Sequence, residues 1–166
     1  MKRTRILTAR EIEQKLRRIA HQINEDHYKD KTLFLVGVRP QGYRVAERLA
    51  QELRAISNAE IVLHSITLNK DKPWTEGMDF DGDFKAMENK VIILVDDVLN
   101  SGKTLMYSSG YLLQSNPRKL AIATLVDRIH RTFPIRATYV GLTLSTNLKQ
   151  HVNVELGVAE EAAYLA

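Results

Sequence analysis

The centre of the chain holds the segment Val91-Ile-Ile-Leu-Val-Asp96-Asp97-Val-Leu-Asn100-Ser101-Gly102-Lys103-Thr104. Its opening apolar run, Val91 to Val95, is typical of a strand that is buried on both faces of a parallel sheet. Two carboxylates follow, and the small residues around Gly102 predict a tight turn. A helix is expected after the turn, with apolar positions at Leu105, Leu112 and Leu113, and it should end before Pro117. The segment therefore predicts a strand, a turn and a helix.

The rest of the chain alternates strands and helices in the same way. Thr8 and Glu11 have the spacing of a capping box, and Ile12, Leu16, Ile19, Ala20 and Ile23 then recur on one helical face. Further strands are predicted at 32–37, 61–68, 120–126, 137–144 and 152–156, with a helix around 46–53. The polar segment 69–89 is predicted to be a mobile loop. This pattern predicts one α/β domain over residues 1–166, with a mainly parallel sheet flanked by helices.

Composition narrows the possible functions. The chain has 166 residues and no cysteine, which excludes disulfides, thiolate nucleophiles and cysteine zinc sites. No apolar run approaches the length of a membrane span, so we expect no membrane partner and a cytoplasmic location. The net charge of +4 favours anionic partners, either a phosphorylated metabolite or a nucleic acid.

The two halves of the central segment suit different ligand groups. Backbone N–H groups in the turn, backed by a helix N-terminus, favour phosphate, and the hydroxyls of Ser101 and Thr104 add donors. Asp96 and Asp97 suit sugar hydroxyls and can help to hold Mg²⁺. A phosphate with vicinal hydroxyls nearby describes a ribose 5-phosphate.

A nucleoside triphosphatase is the main rival interpretation, because Gly102-Lys103-Thr104 matches the end of a P-loop. The spacing excludes it. A P-loop requires glycine five positions before Gly102, where this chain has Asp97.

The segment from Val91 to Leu105 resembles the signature of type I phosphoribosyltransferases that binds 5-phosphoribosyl 1-pyrophosphate (PRPP). The chain is also similar, over most of its length, to the family of bifunctional pyrimidine-operon regulators and uracil phosphoribosyltransferases. The similar positions are Arg18-Ile-Ala-His21, Val36-Gly37, Ala46 to Ala50, Ile66-Thr-Leu68, Leu125 to Arg128, His130-Arg131, Pro134 to Ala137 and Tyr139-Val-Gly141. The resemblance implies the type I fold with a small hood, and a role in nucleotide salvage.

The resemblance also implies roles for individual residues. Asp96 and Asp97 would hold the ribose hydroxyls and Mg²⁺, and PRPP would also contact Val98, Leu99, Asn100, Ser101, Gly102, Lys103 and Thr104. Arg39, Pro40, Gln41 and Gly42 would bind pyrophosphate, with a cis bond expected between Arg39 and Pro40. Lys70 is a candidate catalytic cation on a loop that closes over the site, with Lys72 and Trp74 nearby.

The nucleobase, uracil by resemblance, is expected near Asp127, Arg128 and His130. Several positions depart from the family pattern. Leu142 to Thr146 replace Lys-Asn-Ile-Pro-Thr, Asn100, Ser101 and Lys103 replace Tyr, Thr and Arg, and Pro40-Gln41 replaces Thr-Arg. A purine phosphoribosyltransferase and an RNA-binding regulator of a pyrimidine operon therefore stay open as alternatives. A homo-oligomer, most simply a dimer, is expected.

Overall fold

The computed structural model describes residues 3–166 and contains nine strands and four α-helices within that range. In chain order the elements are β1 (Thr4–Thr8), α1 (Ala9–Asp26), β2 (Thr32–Val38), α2 (Gln41–Ile56), β3 (Glu60–Thr67), β4 (Asp79–Phe80), α3 (Phe84–Met87), β5 (Val91–Leu99), α4 (Lys103–Leu112), β6 (Lys119–Asp127), β7 (Tyr139–Thr143), β8 (Val152–Glu155) and β9 (Ala162–Leu165). A 3₁₀ turn, Leu113–Ser115, extends α4. The chain is thus an α/β protein, as predicted.

A six-stranded sheet forms the centre of the molecule, in the order β4-β3-β2-β5-β6-β7. Strands β3, β2, β5, β6 and β7 run parallel, and only the two-residue β4 is antiparallel. Strand β5 lies in the middle, where Val91 to Val95 are almost completely buried. The carboxyl ends of these strands meet at one edge, so residues that follow β2, β5 and β6 come together there.

Helices cover both faces of the sheet. Helices α1 and α2 pack on one face, where the core includes Ile12, Leu16, Leu49, Ile93 and Leu125. The other face packs against α3 and α4, with Ile92, Leu94, Leu105, Leu112 and Met87 in its core. The predicted capping box at Thr8 and Glu11 begins α1 and is confirmed, as is the buried stripe that follows it.

A small antiparallel sheet forms the hood beside the main sheet. Its order is β1-β9-β8, so the first and last strands of the chain pair with each other. The hood was expected only from the resemblance, and neither β1 nor β9 was predicted as a strand.

Two boundaries differ from the sequence predictions. Strand β5 continues to Leu99, so Asp96 and Asp97 lie within the strand rather than after it. The segment 69–89 is not loop throughout, because its second half contains β4 and α3. Phe80 packs against His64 and Tyr111, and Phe84 packs against Phe80 and Tyr111. Asp81 accepts hydrogen bonds from the backbone and hydroxyl of Ser65, both at 2.9 Å. We call the remaining irregular part, residues 69–78, the lid segment.

Within residues 3–166, no helix combines the length and the apolar character needed to cross a membrane.

Candidate active site

A cleft of about 170 Å³ opens at the carboxyl end of β5. It is lined by every residue from Asp96 to Leu105, by Lys70 from the lid segment, and by Val152 from the hood. The structure thus brings the predicted carboxylates, the predicted phosphate turn and the predicted cation together around one space. Its open, polar walls suit an anionic ligand with hydroxyl groups.

The two carboxylates of the cleft have different environments. Asp96 is buried with 3% of its surface exposed, whereas Asp97 is only partly buried. Burial, and then the neighbouring charge of Asp97, raise the pKa of the Asp96 carboxyl well above its usual value, although Lys70 partly opposes this. The backbone N–H of Asp97 donates to Oδ1 of Asp96 at 2.9 Å, which fixes the buried carboxylate. Asp96 is therefore a rigid group of perturbed acidity, and Asp97 is the more accessible of the pair.

The raised pKa of Asp96 predicts how stability depends on pH. Because the folded state binds the proton more tightly than the unfolded state, the free energy of unfolding falls as pH rises above about 4, the ordinary pKa of aspartate. We expect Asp96→Asn, which keeps the shape and removes the charge, to be more stable than the wild type at neutral pH. Urea unfolding between pH 4 and pH 8 should show this advantage shrinking toward the acidic end.

Asp81→Asn is the control, because it should change the free energy of unfolding at neutral pH in the opposite direction. Burial alone would raise the pKa of Asp81, but hydrogen bonds from Ser65 hold it below its usual value. This variant should lose stability at neutral pH and match the wild type only below about pH 4. If instead Asp96→Asn were less stable than the wild type at pH 7, the raised pKa of the Asp96 carboxyl would be contradicted.

The phosphate turn joins β5 to α4. Gly102 has a φ of 88°, and a Cβ atom there would lie 2.5 Å from Cγ2 of Ile135, so only glycine fits. The carbonyl of Ser101 accepts hydrogen bonds from the backbone N–H groups of Thr132 and Phe133 at 3.0 and 3.1 Å. Helix α4 begins at Lys103, and the N–H groups of its first turn have no intrahelical acceptors. The N–H of Lys103 donates to Oγ of Ser101 at 3.3 Å. The turn is therefore braced and places a helix N-terminus at the cleft, and its binding of phosphate stays a prediction.

Lys103 does not point its ammonium group at the turn. Its Nζ donates to the carbonyl of Asp71 at 2.8 Å and lies 4.8 Å from the ring centre of Trp74. Trp74 in turn lies 6.4 Å from Tyr107 on α4, measured between ring centres. Lys103 thus connects the lid segment to the start of α4, and its predicted contact with PRPP stays a prediction.

We expect Lys103→Met to loosen the lid segment. A cation–π contact at an exposed site contributes about 0.5–1 kcal/mol. Its loss should therefore shift the equilibrium between a lid segment in contact with α4 and one that has moved away by about 2–5-fold toward the second state. Trp74 is the only tryptophan, so acrylamide quenching of its fluorescence reports on this segment alone. Quenching should increase in Lys103→Met and stay at the wild-type level in Lys72→Met. Equal quenching in all three proteins would show that Lys103 does not hold the lid segment.

The segment that we call loop 39–42 was predicted as a loop, but α2 begins at Gln41, so its last two residues are helical and Gly42 is the one that lies against Asp96. The Arg39–Pro40 bond is cis, which confirms the prediction. Arg39 is exposed and stacks over Tyr43, with its guanidinium carbon 4.0 Å from the ring centre. The Oε1 atom of Gln41 is buried and has no partner among the described residues. Gly42 lies so close to β5 that a Cβ atom would stand 2.7 Å from Oδ1 of Asp96.

The three residues predicted to contact the base have other partners in the structure. Asp127 accepts hydrogen bonds from the backbone of Ile129 at 3.0 Å and from Arg131. His130 contacts the carbonyl of Thr146 through Nε2. Arg128 is buried, and its guanidinium donates to Asn100, Thr146 and two backbone carbonyls. Their contact with a base stays a prediction, and for Arg128 these contacts favour a supporting position.

Sequence reasoning missed two residues of this region. Val152 lines the cleft from the hood, a position that depends on the pairing of β8 with β9. Arg131 donates to the carbonyls of Asn100 at 2.8 Å and Ile135 at 3.1 Å, and it also contacts Asp127. Its i,i+4 spacing from Asp127 was the one local signal that could have revealed this link.

Comparison with known proteins agrees with this geometry. A family model described as the phosphoribosyl transferase domain matches residues 2–161. A bifunctional protein PyrR from Alkaliphilus metalliredigens is 37% identical over 155 residues, which cover 87% of this chain and 84% of the relative. The PyrR of Fusobacterium nucleatum is 32% identical over 164 residues, with 93% of each chain covered.

Solved structures of similar fold include a hypoxanthine phosphoribosyltransferase from Trypanosoma cruzi. It has a TM-score of 0.78 at 18% identity and covers 98% of this chain and 95% of that one. A hypoxanthine phosphoribosyltransferase from Staphylococcus aureus has a TM-score of 0.72 at 22% identity, with coverages of 87% and 80%. At these identities the likeness shows the fold and does not identify the base.

Proposed function

The chain belongs to the phosphoribosyltransferase family, and on that premise we propose that it transfers ribose 5-phosphate from PRPP to uracil and releases pyrophosphate. The observation that carries the proposal is the single cleft that joins the Asp96–Asp97 pair to the phosphate turn. Those two features match the hydroxyl and phosphate ends of one ribose 5-phosphate group.

Each part of the cleft has a proposed role. The turn from Asn100 to Thr104 binds the 5-phosphate through backbone N–H groups and hydroxyls. Asp96 and Asp97 accept hydrogen bonds from the ribose hydroxyls and stabilise positive charge as it develops on the sugar. Loop 39–42, at the N-terminus of α2, binds pyrophosphate, since Arg39 is an exposed cation and no side chain caps the first turn of α2. Lys70 brings a further cation to the departing pyrophosphate.

Phosphoribosyltransferases generally use Mg²⁺ with PRPP, and we propose the same here. Among residues 3–166, no group of three or more His, Cys, Asp or Glu side chains is arranged to hold a metal ion. The donor set nevertheless fits, because Mg²⁺ is often held by one or two carboxylates together with substrate oxygens. Asp96 and Asp97 would supply those carboxylates, and the ion would help to neutralise the charge of the leaving pyrophosphate.

Uracil is proposed because the curated relatives that match most of the chain are PyrR proteins. Two features of the structure bear on the base. Asp127 lies at the end of β6, where its carboxylate also accepts from Ile129 and Arg131, and Val152 offers an apolar wall of the cleft for a flat ring. Hypoxanthine and guanine are the purine alternatives.

RNA binding is the second function that the sequence left open. Arg18, which belongs to the segment that resembles the regulators, donates to the carbonyls of Val140 and Gly141 at 2.7 and 2.8 Å. These contacts reduce its availability to a phosphate backbone, so we place RNA binding behind the transferase activity.

We also propose a homodimer, which analytical ultracentrifugation would test.

The test is Mg²⁺-dependent release of pyrophosphate from PRPP, measured separately with uracil, hypoxanthine, guanine, xanthine and adenine. We expect release with uracil and little with the purines. Release with one purine alone would correct the base and keep the enzyme class. If no base is turned over, the transferase proposal fails, and titration with a pyrimidine-leader RNA at several salt concentrations becomes the next measurement.

A further inference from the structure

Arg128 is a buried cation without a carboxylate partner among the described residues. It is 7% exposed, and within residues 3–166 it forms no salt bridge. Its Nε donates to Oγ1 of Thr146 at 2.9 Å, and Nη1 donates to Oδ1 of Asn100 at 2.8 Å. Its Nη2 donates to the carbonyls of Asn147 and Gln150. All three guanidinium nitrogens therefore have neutral acceptors, and burial lowers the pKa of the Arg128 guanidinium from its ordinary value.

These acceptors belong to two separate parts of the site. Asn100 opens the phosphate turn, whereas Thr146, Asn147 and Gln150 belong to the loop between β7 and β8, which we call the 144–151 loop. The loop leads directly into Val152, the hood residue that lines the cleft. Arg128 itself follows β6, and its backbone N–H donates to the carbonyl of Leu99 at 3.1 Å. The Arg128 side chain thus joins the phosphate turn to the loop that leads into Val152, the residue through which the hood lines the cleft.

The ends of this loop are held by a hydrogen bond from the N–H of Leu144 to the carbonyl of Asp127 at 2.7 Å and by paired backbone bonds between His151 and Ala166. Among the described residues, few contacts other than those of Arg128 hold its centre. Within it, Asn147 N–H donates to Oε1 of Gln150 at 3.0 Å and Lys149 N–H donates to Oδ1 of Asn147 at 3.1 Å, and both bonds are internal. His130 adds one external contact to the carbonyl of Thr146. The planar fork of arginine suits this task, because it bonds several acceptors at fixed angles, which a lysine ammonium on a flexible stem does not reproduce.

We propose that Arg128 is a positioning residue that couples the phosphate turn to the 144–151 loop, so that occupation of the turn by a phosphate orders the wall beside the base. Asn100 is the link on the phosphate side, and Thr146 is the link on the loop side. Because Arg128 has no carboxylate partner among the described residues, an anionic ligand in the turn strengthens the arrangement. In this role Arg128 acts through these neighbours rather than through a contact of its own with the base.

The first test is hydrogen exchange of the protein without ligand, comparing the wild type with Arg128→Lys. Arg118→Lys is the matched control, since Arg118 is exposed and pairs with Asp30 beside the N-terminal end of β6. We expect Arg128→Lys to speed exchange both in the turn 100–104 and in the 144–151 loop, and Arg118→Lys to speed neither. Faster exchange in one segment alone would overturn the coupling. This arm needs no substrate, so its outcome is independent of whether the proposed transferase activity is correct.

The second test rests on the proposed function and uses steady-state turnover. Arg128→Lys should raise KM for the base about tenfold or more, and it should also raise KM for PRPP, because the same side chain braces the phosphate turn. Asn100→Ala, at an exposed position of the phosphate turn, should raise both KM values by less than Arg128→Lys does. The double variant should lose less than the product of the two single effects, because both changes break the same link. Independent effects of the two changes, or a KM for the base that stays at the wild-type value in Arg128→Lys, would overturn the positioning role.

Discussion

Replacing Asp96 and Asp97 together by asparagine should abolish measurable pyrophosphate release from PRPP. Asparagine keeps the size of each side chain but removes the charge that strengthens hydrogen bonds from the ribose hydroxyls. A hydrogen bond to a charged group contributes about 1.5–3 kcal/mol, so each single change should lower kcat/KM by about 10–100-fold. The double change removes both acceptors and should lower it by about 10³-fold or more.

The two single variants should also differ from each other. Asp97 is the more accessible carboxylate, so Asp97→Asn should mainly raise KM for PRPP. Asp96 is rigid and buried, and its neutral variant should be more stable than the wild type while losing activity. Measuring unfolding and turnover on the same preparation separates these effects, because a misfolded protein would lose both.

Asp83→Asn is the matched control for this experiment. Asp83 is exposed and caps α3 by accepting from the backbone of Lys85 at 3.0 Å, away from the cleft. Its replacement should leave turnover unchanged. If the Asp96/Asp97 double variant kept a tenth or more of wild-type turnover, the carboxylates would not be the groups that bind the ribose.

The parts of the fold that were predictable have local causes. The capping box at Thr8, the buried run Val91 to Val95 and the turn at Gly102 each depend on residues within a few positions of one another. These signals sufficed for the strand–helix alternation and for the position of the cleft at the end of β5. The candidate ribose and phosphate residues followed from the same short segment.

The parts that were missed have remote causes. Strand β1 pairs with β9, so Thr4 finds its partner in Leu165 at the other end of the chain. The ordered second half of segment 69–89 depends on Phe80 and Phe84 meeting His64 and Tyr111, aromatic residues that are scattered in the sequence. The partners of Arg128 were also not visible in the sequence. They are mostly carbonyls and hydroxyls, which are uncharged and leave no pattern of opposite charges to recognise. A single sequence does not reveal such partners, because each of them is set by tertiary packing.

Gly42→Ala should damage the site without touching any charged group. A Cβ atom at this position would lie 2.7 Å from Oδ1 of Asp96, and 2.9 Å from both Cα of Asp96 and the carbonyl oxygen of Val95. Two of these three atoms are backbone of the central strand, which cannot move without disturbing its neighbours. Overpacking of this kind costs about 1–3 kcal/mol of stability. A displacement of about 1 Å in loop 39–42 relative to Asp96 should lower kcat/KM about 100-fold.

Gly110→Ala provides the matched control because the chemical change is identical. A Cβ atom at Gly110 meets nothing within 4 Å, so alanine should stabilise α4 by about 0.5–1 kcal/mol and leave turnover unchanged. Both glycines lie in helices, Gly42 in the first turn of α2 and Gly110 inside α4, so neither change is disfavoured by helix propensity. Opposite outcomes would therefore reflect the close approach of α2 to β5. If Gly42→Ala were as stable and as active as Gly110→Ala, loop 39–42 would not be held against Asp96 in the protein. The proposed pyrophosphate site would then have to be sought elsewhere, because Arg39 and the first turn of α2 would lie too far from the sugar that Asp96 and Asp97 bind.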